Sequence, residues 1–332
     1  MKKSILIFLF SFFGVTSYAQ EGFPVLFDYL SDNYYLIHPA MAGVGQGGKA
    51  RLTVRRQWFD VDGAPNLQTL NAHTRIGQSS SGIGAILYND QNGFHSRTGL
   101  KLTYAHHLLF SRNIVDINQL SFGLSLGFLQ SNLDETEFSN FFLPDPAISG
   151  INQSDTFFNI DIGLSYNFLE FYTHITIQNL LGGTRDLFSG QVIDNARRYL
   201  VSAGYVFGKS EWQFEPSFLF QATEFTNEKT IDINAKVYKD VNFGKVWGGL
   251  SFRQSFDGAQ FNAGGGLEEQ RLQLITPILG VNYKNFVFAY NYSYQAGDIR
   301  ISNGGFHQIT LGLNFFGAGK KPYDCNCPAV NY

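Results

Sequence analysis

Hydrophobic and polar positions alternate with a period of two along most of this chain. In Asn285–Gln295 the residues Phe286, Phe288, Tyr290, Tyr292 and Tyr294 share one face, and Val287, Ala289, Asn291, Ser293 and Gln295 share the other. Leu120–Phe128 divides into Leu120, Phe122, Leu124, Leu126 and Phe128 against Ser121, Gly123, Ser125 and Gly127. Phe158–Phe168 sets Phe158, Ile160, Ile162, Leu164, Tyr166 and Phe168 against Asn159, Asp161, Gly163, Ser165 and Asn167. Successive side chains of a strand point to opposite faces, so each stretch reads as a β-strand. The second face sets the class. A soluble sandwich would carry Lys and Glu there, which also guard sheet edges, whereas this chain carries Gly, Ser and Asn.

About fourteen such strands are predicted between Lys49 and Phe316. Short turns are expected at Gln78–Ser81, Phe168–Glu170, Gly208–Ser210, Asp240–Asn242 and Lys284-Asn285. They alternate with long connections at Leu133–Ser154, Leu180–Asn195 and Phe256–Gln270, and with intermediate ones at Asp60–Asn66, Asp90–His95, Thr223–Glu228 and Asp298–Asn303. Within Phe256–Gln270, Ala259–Gly266 is assigned to loop, because Gly264-Gly265-Gly266 would weaken a strand. Short periplasmic turns alternating with longer extracellular loops predict an all-β fold, a transmembrane antiparallel up-and-down β-barrel of about 14 strands. With an even count both termini fall in the periplasm.

The chain start fits export. Lys2 and Lys3 precede an apolar run, Ile5–Val15, and a small-x-small site, Ser17-Tyr18-Ala19. This is the three-part pattern of a cleavable signal peptide, 1–19. The apolar run is shorter than the roughly 20 residues that span a bilayer. Removal of Lys2 and Lys3 takes the net charge from −3 to −5. That balance leaves no electrostatic footprint for nucleic acid. No later segment could cross a membrane as a helix, and only helices and closed barrels satisfy every backbone group in lipid. Aromatics make up 16% and charged residues 15% of the chain, against about 25% charged in ordinary globular chains. This shortage suits strands with one lipid face and one small, polar lumen face. The expected division is therefore signal peptide 1–19, a segment 20–48, barrel 49–316 and a periplasmic tail 317–332. Val25–Ile37 is rich in Phe, Tyr and Leu, which suits either a plug in the lumen or a strap across the periplasmic mouth.

No candidate chemistry rises above its structural alternative. Gly43-Val44-Gly45-Gln46-Gly47-Gly48-Lys49-Ala50 lacks the Ser or Thr and the following helix of a phosphate-binding loop. There is no Gly-x-Ser-x-Gly elbow. His106 and His107 are adjacent in a strand and point to opposite faces, so they cannot chelate together. Cys325 and Cys327 are too close in sequence to close a disulfide ring easily; a paired tail, a mixed disulfide or two free thiols all fit. The expected lumen charges Arg51, Arg55, Lys101, Asp161, Glu215, Asp232, Lys236 and Arg253 are of mixed sign, which favours pairing across the interior over ion selection. No catalytic residue, cofactor or metal is expected, and the chain reads as non-enzymatic.

Three stretches carry a resemblance. The first is His38-Pro39-Ala40-Met41-Ala42-Gly43, followed by Arg55-Arg56-Gln57-Trp58 and Gly63-Ala64-Pro65. The second is Glu215-Pro216-Ser217 with Asp232, Asn234, Trp247-Gly248-Gly249 and Phe252-Arg253. The third is Gly304-Gly305-Phe306-His307-Gln308-Ile309, with Cys327-Pro328 in the tail. In order and spacing the chain resembles the PorP/SprF family of outer-membrane proteins, found with the type IX secretion and gliding machinery of Bacteroidetes. His38 stands where that family usually has Asn, and Phe306 and Gln308 flank His307 where Ser or Thr and Glu are usual.

The resemblance implies a barrel that serves as export or cell-surface anchoring partner of a secreted, adhesin-like protein with a C-terminal sorting region. One family member instead implies a structural part of the secretion complex, touching other secretion components on the periplasmic side. A passive solute channel is the rival reading, motivated by the polar lumen set. For a partner site, the apolar loop residues Phe138, Phe141, Phe142 and Leu143 come first, then Trp247 and Arg253 facing the lumen.

Overall fold

The computed structural model describes residues 30–45, 47–57, 63–77, 79–111, 117–136, 150–181, 184–186, 192–194, 196–208, 211–224, 228–262, 267–296 and 305–315. Among them are the strands β1 (Gly48–Gln57), β2 (Asn66–Arg75), β3 (Ser81–Asn92), β4 (His95–Leu109), β5 (Asn118–Asp134), β6 (Asn152–Phe168), β7 (Phe171–Gln178), β8 (Thr184–Asp186), β9 (Val192–Asp194) and β10 (Arg198–Tyr205). They continue with β11 (Trp212–Thr223), β12 (Lys229–Val241), β13 (Gly244–Asn262), β14 (Leu267–Tyr283), β15 (Phe286–Gln295) and β16 (Phe306–Phe315). Fourteen of these close into one antiparallel barrel, in which β1 pairs with both β2 and β16; β8 and β9 pair only with each other. No helix of the described residues is long and apolar enough to cross a membrane.

Closure follows from the register. β1 and β16 run from Gly48↔Phe315 to Gln57↔Phe306 without a shift, so the first and last strands leave no edge exposed to lipid. The two faces are as the alternation predicts. Phe286, Phe288, Tyr290 and Tyr294 are exposed outward, while Val287, Ala289, Asn291 and Ser293 are buried on the lumen side. The same division holds in β5, with Phe122, Leu124 and Phe128 outward and Ser121 and Ser125 inward, and in β6.

The structure revises several connections. Phe256–Gln270 is strand for most of its length: β13 continues to Asn262 and β14 begins at Leu267, paired from Gly258↔Arg271 to Asn262↔Leu267 after a register shift. Gly264-Gly265-Gly266 fall between these strands and do not cut them short. This ribbon extends past the last pairs that β13 makes with β12 and β14 makes with β15. Asp90–His95 is likewise a tight hairpin, in which Gly93 takes φ +58° between Asn92 and His95. The turn expected at Asp240–Asn242 lies one residue later, because β12 runs on to Val241. Outside the described residues lie the signal peptide, the tail with Cys325 and Cys327, and the loop residues Phe138, Phe141, Phe142 and Leu143.

Lipid contact is directly testable. Phe288→Arg or Tyr290→Arg should destabilise the barrel by roughly 2–4 kcal/mol at the bilayer midplane, measured by urea titration of folding into vesicles. Phe288→Leu should cost less than about 1.5 kcal/mol. An Arg variant as stable as the Leu variant would contradict the outward register.

Candidate functional site

The lumen is occupied by the chain's own residues 30–45. This segment is a series of short 3-10 turns at Leu30–Asp32, Tyr34–Leu36 and Pro39–Met41. Pro39 opens the last of them, where its missing N–H is not needed. Much of the backbone is satisfied locally: His38 N–H donates to Tyr34 O (2.8 Å), Met41 N–H to His38 O (3.0 Å) and Ala42 N–H to Pro39 O (3.1 Å). A segment that satisfies its own backbone can leave water without an edge or a ladder to complete.

Side chains then fix it to the wall. Tyr34, Tyr35, Leu36, Ile37, Met41 and Val44 are buried in one apolar cluster with wall residues such as Leu67, Ile86, Leu129, Leu200 and Leu219. The Tyr34 hydroxyl lies 3.0 Å from that of Tyr172, and the Tyr35 hydroxyl donates to Thr103 Oγ1 at 3.1 Å. Fully buried His38 is held between Thr176 Oγ1 (2.8 Å) and Ser202 Oγ (2.6 Å). His107 Nε2 contacts Ala42 O at 3.0 Å, Gly43 N–H donates to His73 Nδ1 at 3.0 Å, and Lys236 Nζ donates to Ser31 O at 2.7 Å. Burial, and then the neighbouring His174, hold the His38 imidazole well below its ordinary pKa, so it is neutral in place. Burial also raises the Asp32 carboxyl, against the lowering effect of Lys236 and Arg51.

The inward glycines are the socket for this plug. A Cβ on Gly123 would overlap the backbone of Pro39 and Ala40, one on Gly82 the carbonyl of Ala42, and one on Gly84 the Tyr35 hydroxyl. The alternation marked Gly123 as lumen-facing but gave no reason for glycine there. The reason is close backbone approach, which only the plug's position reveals.

The predicted lumen charges are all buried and each has a partner, charged or neutral, in the wall or the plug. Lys101 pairs with Asp161 at 2.6 Å, and Arg253 binds Asp232 through Nε (2.6 Å) and Nη2 (2.7 Å). Glu215 accepts from the hydroxyls of Tyr172 and Tyr238, both at 2.5 Å, and so ties β7, β11 and β12 together below Tyr34. Arg51 donates to Asn314 Oδ1 and Arg55 lies 4.6 Å over the Phe306 ring, both across the β1–β16 seam. Trp247 faces inward, 6% exposed, donating to Asn282 Oδ1 with its ring against Gly280. The structure therefore places Trp247 and Arg253 inside the wall, Arg253 locked in its ion pair. Between plug and wall remains a cavity of ≈ 60 Å³ lined by Asp32, Tyr35, Lys49, Arg51, Lys236 and Trp247 among others.

Sequence reasoning weighed His107 only as half of a pair with His106 and did not single out His174. Ser165 Oγ lies 2.6 Å from His174 Nδ1, and Ser121 Oγ 2.8 Å from His107 Nδ1. These serine–histidine pairs are completely or almost completely buried behind the plug, and His174 Nε2 has no hydrogen-bond partner that could orient it as a base. His106 points to the other face, within 3.3 Å of Ser81 Oγ. Among the described residues no group of three His, Cys, Asp or Glu is arranged to hold a metal.

A family model described as type IX secretion system membrane protein PorP/SprF matches residues 19–313. Similar solved structures include the CymD monoaromatic hydrocarbon channel, 10% identical at a TM-score of 0.46, covering 91% of this chain and 95% of that one. The TodX monoaromatic hydrocarbon channel deltaS2 mutant is 10% identical at 0.44, covering 90% and 94%. CdiB from Acinetobacter baumannii is 10% identical at 0.45, covering 81% of this chain and 60% of that one, so this chain spans three fifths of its length. No curated protein matches the sequence.

Two measurements probe the plug. Gly123→Leu should displace the Pro39–Met41 turn while the barrel stays heat-modifiable, and steady conductance in planar bilayers should rise; an unchanged conductance would place the plug elsewhere. The second is pH. A released His38 titrates near the ordinary value of about 6.5, and the seated one far lower. Its contribution to plug retention is therefore full above about pH 6.5 and is lost as pH falls toward the depressed value. Opening events should be more frequent at pH 5.5 than at pH 8, and His38→Asn should flatten the difference.

Proposed function

Because the chain belongs to the PorP/SprF family of type IX secretion system membrane proteins, we propose that it is a non-enzymatic outer-membrane barrel serving as export or cell-surface anchoring partner of a secreted adhesin-like protein. The observation that carries this reading is the filled lumen. Residues 30–45 are hydrogen-bonded to opposite parts of the wall, from Thr103 on β4 to Lys236 on β12, and a cavity of ≈ 60 Å³ lies beside them. A solute channel needs a continuous polar path that a permeant can enter and leave. A barrel whose lumen is occupied by its own chain does its work at its mouths.

The mouth opposite the β1 and β16 ends offers the raw material for recognition. There β5–β6 and β13–β14 run well past their shorter neighbours, and loops on a rigid scaffold are where binding residues concentrate. Phe138, Phe141, Phe142 and Leu143 belong to the connection that follows β5. In this reading that mouth faces outside the cell. The opposite mouth, where the plug joins β1, faces the periplasm and other type IX secretion components.

Purification from cells in gentle detergent should yield the barrel with a secreted surface protein bound near one-to-one, and the barrel alone should be almost silent in planar bilayers. A large steady conductance in the absence of any bound protein would overturn the reading in favour of a solute channel.

A further inference from the structure

We propose that the upper edge of β6, Asn152–Phe158, is a strand-addition site that takes an extended segment of the secreted partner as one more strand of the wall; this rests on the anchoring reading above. β6 pairs with β5 along its whole length, from Asn152↔Asp134 to Phe168↔Asn118. β7 is much shorter, and its pairing with β6 covers only Ile162↔Ile177 to Phe168↔Phe171. The chain after β7 adds Leu180 N–H to Ile160 O at 2.8 Å and Leu181 N–H to Asn159 Oδ1 at 3.1 Å. Beyond Ile160, among the described residues, no strand pairs with β6 on that side.

The direction of each backbone group follows from parity. Ile160 O receives Leu180, so even-numbered residues of β6 face away from β5; Ile151 O receives Glu135 N–H, so odd-numbered ones face β5. The β5–β6 register has no shift. The carbonyls and N–H groups of Asn152, Ser154 and Phe158 therefore point off the wall. Thr156 N–H also points there, and the Asp155 carboxylate holds it at 2.7 Å.

The outer face beside this edge is polar. Phe128 and Phe158, with rings 5.1 Å apart, are the last aromatic pair on the outer face. Above them the outward side chains are Gln130, Asn132, Thr156, Ser154 and Asn152, all polar. Natural edges are blunted by outward Lys, by Pro, by bulges or by covering segments. Asn152–Phe158 contains neither Lys nor Pro, and Asp155 clips a single donor. Donor–acceptor pairs repeating every two residues, about 6.8 Å, match the backbone of another strand and not the spacing of a lipid or glycan. Main-chain bonds would supply affinity, and side chains on the added strand would supply selectivity.

Hydrogen exchange and one backbone substitution test the site. In the barrel alone, the Ser154 and Phe158 amides should exchange quickly while those of Gln153 and Phe157, turned to β5, are slow. In the complex with the protein that co-purifies from wild-type cells, the two fast amides should slow at least tenfold; fast exchange in that complex, or protection already present in the barrel alone, overturns the site. Ser154→Pro removes one outward donor and spares the β5 ladder. It should release that protein from the cell surface at least tenfold, with the barrel inserted normally, whereas Ser154→Ala should retain it. Equal retention by both variants, or equal release, also overturns the site. If the proline variant fails to insert, the wild-type exchange measurement decides. Cells lacking the barrel separate the two ideas: an unchanged surface protein there removes the anchoring reading and this site with it, whereas loss there with retention in Ser154→Pro removes the site alone.

Discussion

Everything in this molecule hangs on the ladder between its first and last strands. In a hydrocarbon solvent an unpaired N–H or C=O costs several kcal/mol, so a sheet of this size is stable only as a closed ring. β1 and β16 complete it with an uninterrupted register and reinforce it through side chains, Arg51 to Asn314 and Thr53 to Thr310. Closure forces one face of every strand outward, where Leu, Phe and Tyr meet lipid, and the other inward. It also creates the second problem, an interior that must be filled by something.

The filling comes from the N-terminal lead-in. An apolar plug seated on Ser, Thr, His and Gly is an unusual core, in which hydroxyls and imidazoles of the wall meet carbonyls and hydroxyls of the plug. The cost of burying those groups is met by mutual hydrogen bonds, as with His38 between Thr176 and Ser202. The charged pairs Lys101–Asp161 and Arg253–Asp232 obey the same rule at higher stakes. Of the residues that motif reasoning grouped together, Met41 and Trp247 line the interior cavity, while His38 and Glu215 are bound into the contacts between plug and wall.

Much of the fold was legible because lipid enforces alternation. Phe286 to Tyr294 and Phe122 to Phe128 can be read from their spacing alone. Legibility failed where the lipid stops. The β13–β14 ribbon rises past its neighbours, no solvent there demands an apolar face, and three glycines between the strands looked like an early end to them. The site was half legible. Tyr34, Tyr35 and Ile37 announced a segment in need of burial, but lumen packing and a periplasmic strap predict the same composition. The difference resides in tertiary facts such as the missing Cβ of Gly123 and Gly82, which have meaning only once two distant segments meet.

The plug joins the barrel through Gly47 directly into β1, the strand that must also receive β16. The seating of the plug and the closing of the ring therefore meet at one strand. The contacts that seal the molecule are the most distant in sequence: Arg51 and Asn314 are 263 residues apart, His38 and Ser202 are 164 apart. Pairing over such separations carries the largest loop-closure penalty and the slowest rates. The hairpins from β2 onward can zip locally. The lead-in is seated against hairpins that form locally, and closing the ring then surrounds it, with His38 between Thr176 and Ser202. The finished barrel is a sheet wrapped around residues 30–45 of its own chain.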